Sequence, residues 1–289
     1  MKRIRRWVLY PGYVLGITVL FLYVLFPSDA AKEYISGYLG KQYPGYTVTM
    51  ETVKPVFPLG LKFDSVSIAY RGDTWADLEH LRVRPRYLSI FGSEKTIRFT
   101  GRAYGGKVSG TIDLQPAQPS YRVKASAELT GIRLEDHNYL QTFSGRKIAG
   151  VLHSTIGYSS EKAAAGRLNV SMQVVDGEVG LTNPVLNISN VDFERVDAEL
   201  IVDKRSLKLK RCEITGSQVD GSVSGVILFR KPIGRSRLEF KGTVLPHHLL
   251  MASLNKVLPK SLLPSKKAGD KGYPVKLYGT IEKPKFSLR

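Results

Sequence analysis

Lys107-Val108-Ser109-Gly110-Thr111-Ile112-Asp113-Leu114 puts Val108, Gly110, Ile112 and Leu114 on one parity and Lys107, Ser109, Thr111 and Asp113 on the other. Successive side chains of an extended chain point to opposite faces, so this period of two predicts a strand with one apolar side. The pattern recurs outward from there. Tyr121, Val123, Ala125, Ala127 and Leu129 alternate with Arg122, Lys124, Ser126 and Glu128, and Leu168, Val170, Met172 and Val174 alternate with Arg167, Asn169, Ser171 and Gln173. Val275, Leu277, Gly279 and Ile281 repeat it near the end of the sequence, and Tyr46, Val48 and Met50 near the start. One-faced strands of this kind build antiparallel sheets.

Helical periodicity is scarce. It predicts short helices over 136–143, on Tyr139, Leu140 and Phe143, and over 246–257, on Leu250, Leu254 and Val257. Residues 259–274 collect Pro, Gly and Lys and read as a loop. Glycines punctuate the strands at Gly106 and Gly110, Gly145 and Gly150, Gly221 and Gly225, and Gly279, which marks bends or bulges. The expected class is mainly β: one elongated, curved antiparallel domain, either a groove open on its apolar side or a two-sheet sandwich.

The start of the chain differs. Trp7 to Phe26 carries no charge and follows Lys2, Arg3, Arg5 and Arg6. Twenty residues at 1.5 Å each span about 30 Å, the thickness of a bilayer's hydrocarbon core, and the cations favour a cytoplasmic N-terminus. A cleaved signal peptide is the alternative, with a weak small-residue site at Ser28 to Ala30, but its apolar region is normally shorter. Ser28 is expected to cap a juxtamembrane helix carrying Ile35, Tyr38 and Leu39, ended by Gly40 and Pro44-Gly45. The expected division is therefore a basic tip and transmembrane anchor over 1–26, a helix over 27–45 and a periplasmic β-rich domain over 46–289.

Composition narrows the chemistry. The net charge of +18, less the four cations of the first 26 residues, leaves 18 − 4 = +14 beyond the anchor, which suits phosphate-bearing lipid or an acidic protein. The topology argues against nucleic acid. A single cysteine, Cys212, allows no intrachain disulfide, and a small packed hydrophobe is its simplest role.

Catalytic patterns are missing. Gly101 to Val108 nearly repeats a phosphate-binding loop, yet Val108 lacks the metal-holding hydroxyl and a strand follows where a helix is needed. His80, His137, His153 and the adjacent His247-His248 have no ligand spacing. Glu135 and Asp136 read as a charged helix start. No enzyme activity, cofactor or metal is expected.

The chain resembles the type II secretion system protein N family, in its form with one N-terminal anchor, and more broadly the AsmA-like envelope proteins. The resemblance rests on the basic anchor and on Pro55-Val56-Phe57-Pro58-Leu59-Gly60-Leu61-Lys62-Phe63-Asp64-Ser65-Val66-Ser67-Ile68. It also rests on Leu78 to Phe91 around Val83-Arg84-Pro85, on Gly105 to Gly110, and on Leu277-Tyr278-Gly279-Thr280-Ile281-Glu282-Lys283-Pro284-Lys285-Phe286. It implies an inner-membrane scaffold of type II secretion, single-pass, whose partners are other inner-membrane components or the secretin. The AsmA-like likeness implies instead a lipid-binding or lipid-transfer module. If the apolar side is open, Leu61, Phe63, Val108, Ile112, Val123, Leu168, Val170, Val223 and Ile227 are the residues expected to line it, with phospholipid or another anionic lipid as the ligand.

Overall fold

The structure is a computed structural model that describes residues 2–90, 92–117, 121–160, 166–185, 188–247 and 272–288, with backbone alone for 2–9 and a few other positions. The helix expected over 246–257 lies outside the described residues but for its first two, and the loop over 259–274 but for its last three. The chain forms two compact units, 1–85 and 86–289, and this boundary falls inside the stretch read as one β-rich domain.

The first unit begins with α1 (Lys2–Val24) and α2 (Ser28–Gln42). Among the described residues no helix is long and apolar enough to cross a membrane, so the expected span is not among the features the fold establishes. The helix over the predicted stretch does form, with Pro11 inside it. In α2 the cap position is Pro27 and not Ser28, which is already helical, and the helix runs through Gly40. Ala31, Ile35 and Leu39 face inward, whereas Tyr38, read with them, is exposed and stacks on Tyr34.

These helices precede a four-stranded antiparallel sheet of β1 (Tyr46–Met50), β2 (Val53–Pro55), β3 (Leu61–Tyr70) and β4 (Asp73–Pro85). β1 and β2 pair with opposite ends of one edge of β3, and β4 with the other edge. Met50, Val53, Phe63 and Val66 form its buried core, covered by Phe26 and the inner face of α2. Phe63 and Val66 are three residues apart, which a regular strand would send to opposite faces. The alternation restarts between them: β1 gives way to β2 opposite, and in β4 the facing region holds His80 at φ 51°, in the left-handed region. Asp64, at that step, is gripped by Lys62, Lys54 and His80 at 2.6, 3.3 and 4.0 Å. Its carboxyl is held below the usual range chiefly by the Lys62 bond.

The second unit opens with α3 (Tyr87–Ile90) and continues as a meander. Its strands are β5 (Lys95–Ala103), β6 (Gly106–Pro116), β7 (Tyr121–Arg133), β8 (Ile148–Ser160), β9 (Gly166–Val185) and β10 (Ile188–Val202). They continue as β11 (Ser206–Thr215), β12 (Val219–Leu228), β13 (Arg237–Pro246), β14 (Tyr273–Thr280) and β15 (Pro284–Leu288). Each strand pairs antiparallel with the next in sequence. Among the described residues the unit is one continuous antiparallel sheet, so of the two forms expected, an open groove or a two-sheet sandwich, the pairing gives no second sheet.

The stretch resembling a phosphate loop is the β5–β6 hairpin. Tyr104 and Gly105 turn it with φ 46° and 76°, and glycine takes such a value at little cost. The helix expected over 136–143 is α4 (Asn138–Ser144), after a 3-10 turn at Leu134–Asp136. Its acids do not start it. His137 caps it by accepting from Leu140 N–H at 3.3 Å, while Asp136 pairs with Arg133 at 2.7 Å.

Candidate functional site

Residues directly opposite in an antiparallel pair project to the same face, so the register alone shows what each side of the second unit displays. One row runs Phe99, Gly110, Ala127, Ile156, Val170 and Leu200 across β5 to β10. It continues through Leu209, Gly225, Phe240, Leu277 and Phe286 to β15. No polar residue interrupts it over eleven strands. At about 4.8 Å per strand the row covers about 48 Å along the sheet surface.

The flanking rows are similar. Ile112 lies opposite Ala125, Leu168 opposite Val202, and Ile227 opposite Leu238. On the other flank Val108 meets Leu129 and Val223 meets Cys212. Ser154 is the polar residue there, and it donates its hydroxyl to the Ser171 carbonyl at 3.1 Å within the sheet. Bulges in β7, β9 and β11 advance one strand by a residue, yet Leu200 still faces Leu209 and Ile132 still faces Leu152. The bulges keep the apolar rows in phase while increasing local twist.

The opposite face is polar. Its corresponding row reads Thr100, Ser109, Glu128, Thr155, Ser171, Glu199 and Arg211. An open depression of about 400 Å³ lies among Glu128, Thr155, Ser171, Glu199 and Arg211 of this row and His153, Gln173 and Asp197. Asp197 accepts from Arg195 and Gln173, which hold its carboxyl below the usual range, Arg195 most. This is a solvated surface of satisfied ion pairs.

The predicted lining residues separate by unit. Val108, Ile112, Val123, Leu168, Val170, Val223 and Ile227 all belong to the apolar face of the second unit, and each is half-buried. Leu61 and Phe63 do not. Phe63 is buried in the closed core of the first unit, and Leu61 packs against that core. Sequence reading missed Phe99, Leu200 and Phe240, of which Phe99 and Phe240 alternate visibly in Phe99-Thr100-Gly101 and Phe240-Lys241-Gly242 once the register is known, and it read Leu277 as apolar without placing it in the lining.

The face is poorly covered. Among the described residues of this unit, the buried apolar side chains are Ala103, Ile132, Ala198 and Leu238. The face has a footprint of eleven strands by several residues, on the order of 1,000 Å², and most of its side chains stay half-exposed. Cys212 sits in it between Ala198 and Val223. Burial pushes its thiol up, with Asp197 and Glu213 adding to that, so it is a packing residue and not a reactive thiolate.

Compared with protein-family models, curated proteins and solved structures, the chain matches none.

Proposed function

We propose that this chain is a non-enzymatic protein of the bacterial envelope whose second unit holds lipid acyl chains on its apolar sheet face. The observation that carries the reading is the unbroken apolar row from Phe99 to Phe286 on one continuous sheet. A hydrocarbon surface of that extent needs a cover, and an acyl chain is a cover without polar groups to satisfy. One chain reaches about half of the roughly 30 Å hydrocarbon core, so the row has room for several laid across the strands. The positive charge suits phosphate-bearing headgroups at its rims. In this reading α1 is the inner-membrane anchor with a cytoplasmic N-terminus, supported by the uncharged run from Trp7 to Phe26 behind four cations.

A tryptophan placed at Val170 tests it. Its fluorescence, taken as the difference from the parent protein with Trp7 and Trp75, should be quenched by brominated phospholipid. Indifference to that lipid in a folded protein would remove the acyl-chain reading.

A second reading, a scaffold of type II secretion, has one observation in its favour. Among the described residues β15 pairs with β14 alone, which leaves an edge suited to strand addition by a partner. A photo-crosslinker at Ser287 that captures a secretion component, and loses it in a strain without type II secretion, would support this reading.

A further inference from the structure

The turn between β2 and β3 exposes Phe57 and Leu59 at 72% and 52%, with Pro58 between them also exposed. It is not a slack loop. The Val56 N–H donates to the Gly60 carbonyl at 2.9 Å, closing the turn so that these three side chains project from it. A bulkier residue at Gly60 would collide with Arg84, whose side-chain stem lies 2.8 Å from the place of an added Cβ. The turn is therefore backed by a long cationic side chain, and Lys54, 59% exposed and paired with Asp64 at 3.3 Å, is on the strand that enters it.

It is also fastened to α1. The Tyr23 hydroxyl donates to the Pro58 carbonyl at 2.9 Å, and the Tyr23 and Phe57 rings lie 6.3 Å apart. Phe26, two residues beyond α1, packs on the core of the same unit, so the junction is held at two points. The last turns of α1 expose Leu20, Phe21 and Val24, and Leu25 just beyond it is exposed too. The apolar end of the helix and the apolar turn thus sit side by side.

We infer that the Phe57-Pro58-Leu59 turn enters the outer boundary of the same bilayer that α1 crosses, as a second membrane contact beside the helix. This rests on reading α1 as the anchor. Exposed aromatic and aliphatic side chains next to Arg and Lys stems match the chemistry of an anionic headgroup layer, with apolar tips inward and cations at the phosphates. A single helix would let the body swivel. The turn fixes which side of the first unit faces the membrane.

The experiment uses the full chain with Cys212→Ser, reconstituted in phosphatidylcholine and phosphatidylglycerol vesicles. A nitroxide is attached at Phe57→Cys, Leu59→Cys, Leu20→Cys or Arg71→Cys, each variant checked for β-sheet circular dichroism. Arg71 lies at the far end of β3, about 30 Å from the turn, and is the reference for water. The inference expects labels at 57 and 59 to be several-fold more accessible to oxygen, relative to a polar nickel complex, than the label at 71. Equality of 57, 59 and 71 while 20 is in lipid overturns the turn's insertion and keeps the anchor. Lipid at 57 and 59 with water at 20 sustains insertion but overturns the anchor. Water at all four positions overturns both.

Discussion

Phe99 faces Gly110 and Phe240 faces Gly225, and in both pairs the ring lies over the glycine: an added Cβ would come within 2.5 and 2.6 Å of ring carbons. A residue without a side chain and a large neighbour thus fill one site together, which keeps the apolar row level where two bulky groups would clash. At the far end of β13 the governing chemistry is ionic. His247 bonds through Nε2 to Asp220 and through Nδ1 to the Ser217 carbonyl, each at 2.9 Å. Both partners are acceptors, so both ring nitrogens must donate and the imidazolium fits best. Accordingly the Asp220 bond raises the pKa of His247 above its ordinary 6.5, with Ser217 and the more distant Glu194 adding to it, and His247 lowers that of Asp220 below 3.8. The histidine's contribution to stability is full below pH 6.5 and is lost as pH rises through its folded value. The aspartate's is full above pH 3.8 and is lost as pH falls through its own. Denaturant unfolding of the native chain and of His247→Asn should therefore differ most near pH 6 and converge as pH rises; a difference constant from pH 5 to 9 would refute the pairing.

At the scale of the strand, β6 tests which side is apolar. Ile112 and Thr111 are both half-buried, but Ile112 lies in an apolar row whereas the Thr111 hydroxyl meets that of Ser126 at 2.9 Å. Ile112→Asp should destabilise by about 2 kcal/mol or more, since a carboxylate there has no partner, and Thr111→Asp by about 1 kcal/mol or less. Equal losses in urea titrations would show the face assignment to be wrong. This strand also shows how far sequence carries. Its alternation was readable, as were those of β7, β9 and β14, because side-chain period is a local property. What covers the face is not local, so Ser109, Thr111 and Asp113, expected in water, are half-buried like their neighbours. The same limit explains Leu61 and Phe63, whose pattern matches Val108 and Ile112 but whose burial depends on α2 and on the restart at His80. Seven of the nine expected lining residues share one face because parity was legible; that the face belongs to one continuous sheet was not, since a sandwich strand has the same period.

At the scale of the molecule, the charge and the apolar face together predict what accompanies the protein. Extracted in mild detergent and analysed by mass spectrometry, the full chain should carry phospholipid, enriched in anionic over zwitterionic headgroups relative to the source membrane. Lipid in the membrane's own proportions would remove the role given to the +14 surface, and none at all would count against the lipid reading as a whole.

The pairing of every strand in the second unit with its predecessor has a consequence for assembly. Among the described residues each strand from β6 to β15 pairs with the one before it in sequence, so apart from the longer connection from Pro246 to Tyr273 loop-closure entropy is met in small increments and relative contact order is low for a β protein. A polypeptide whose strands emerge from a narrow channel in chain order can then add each one to the edge left by the strand before it. For the same reason a hairpin gained or lost at the growing edge lengthens or shortens the surface without rewiring it, as in repeat architectures whose units contact only their neighbours.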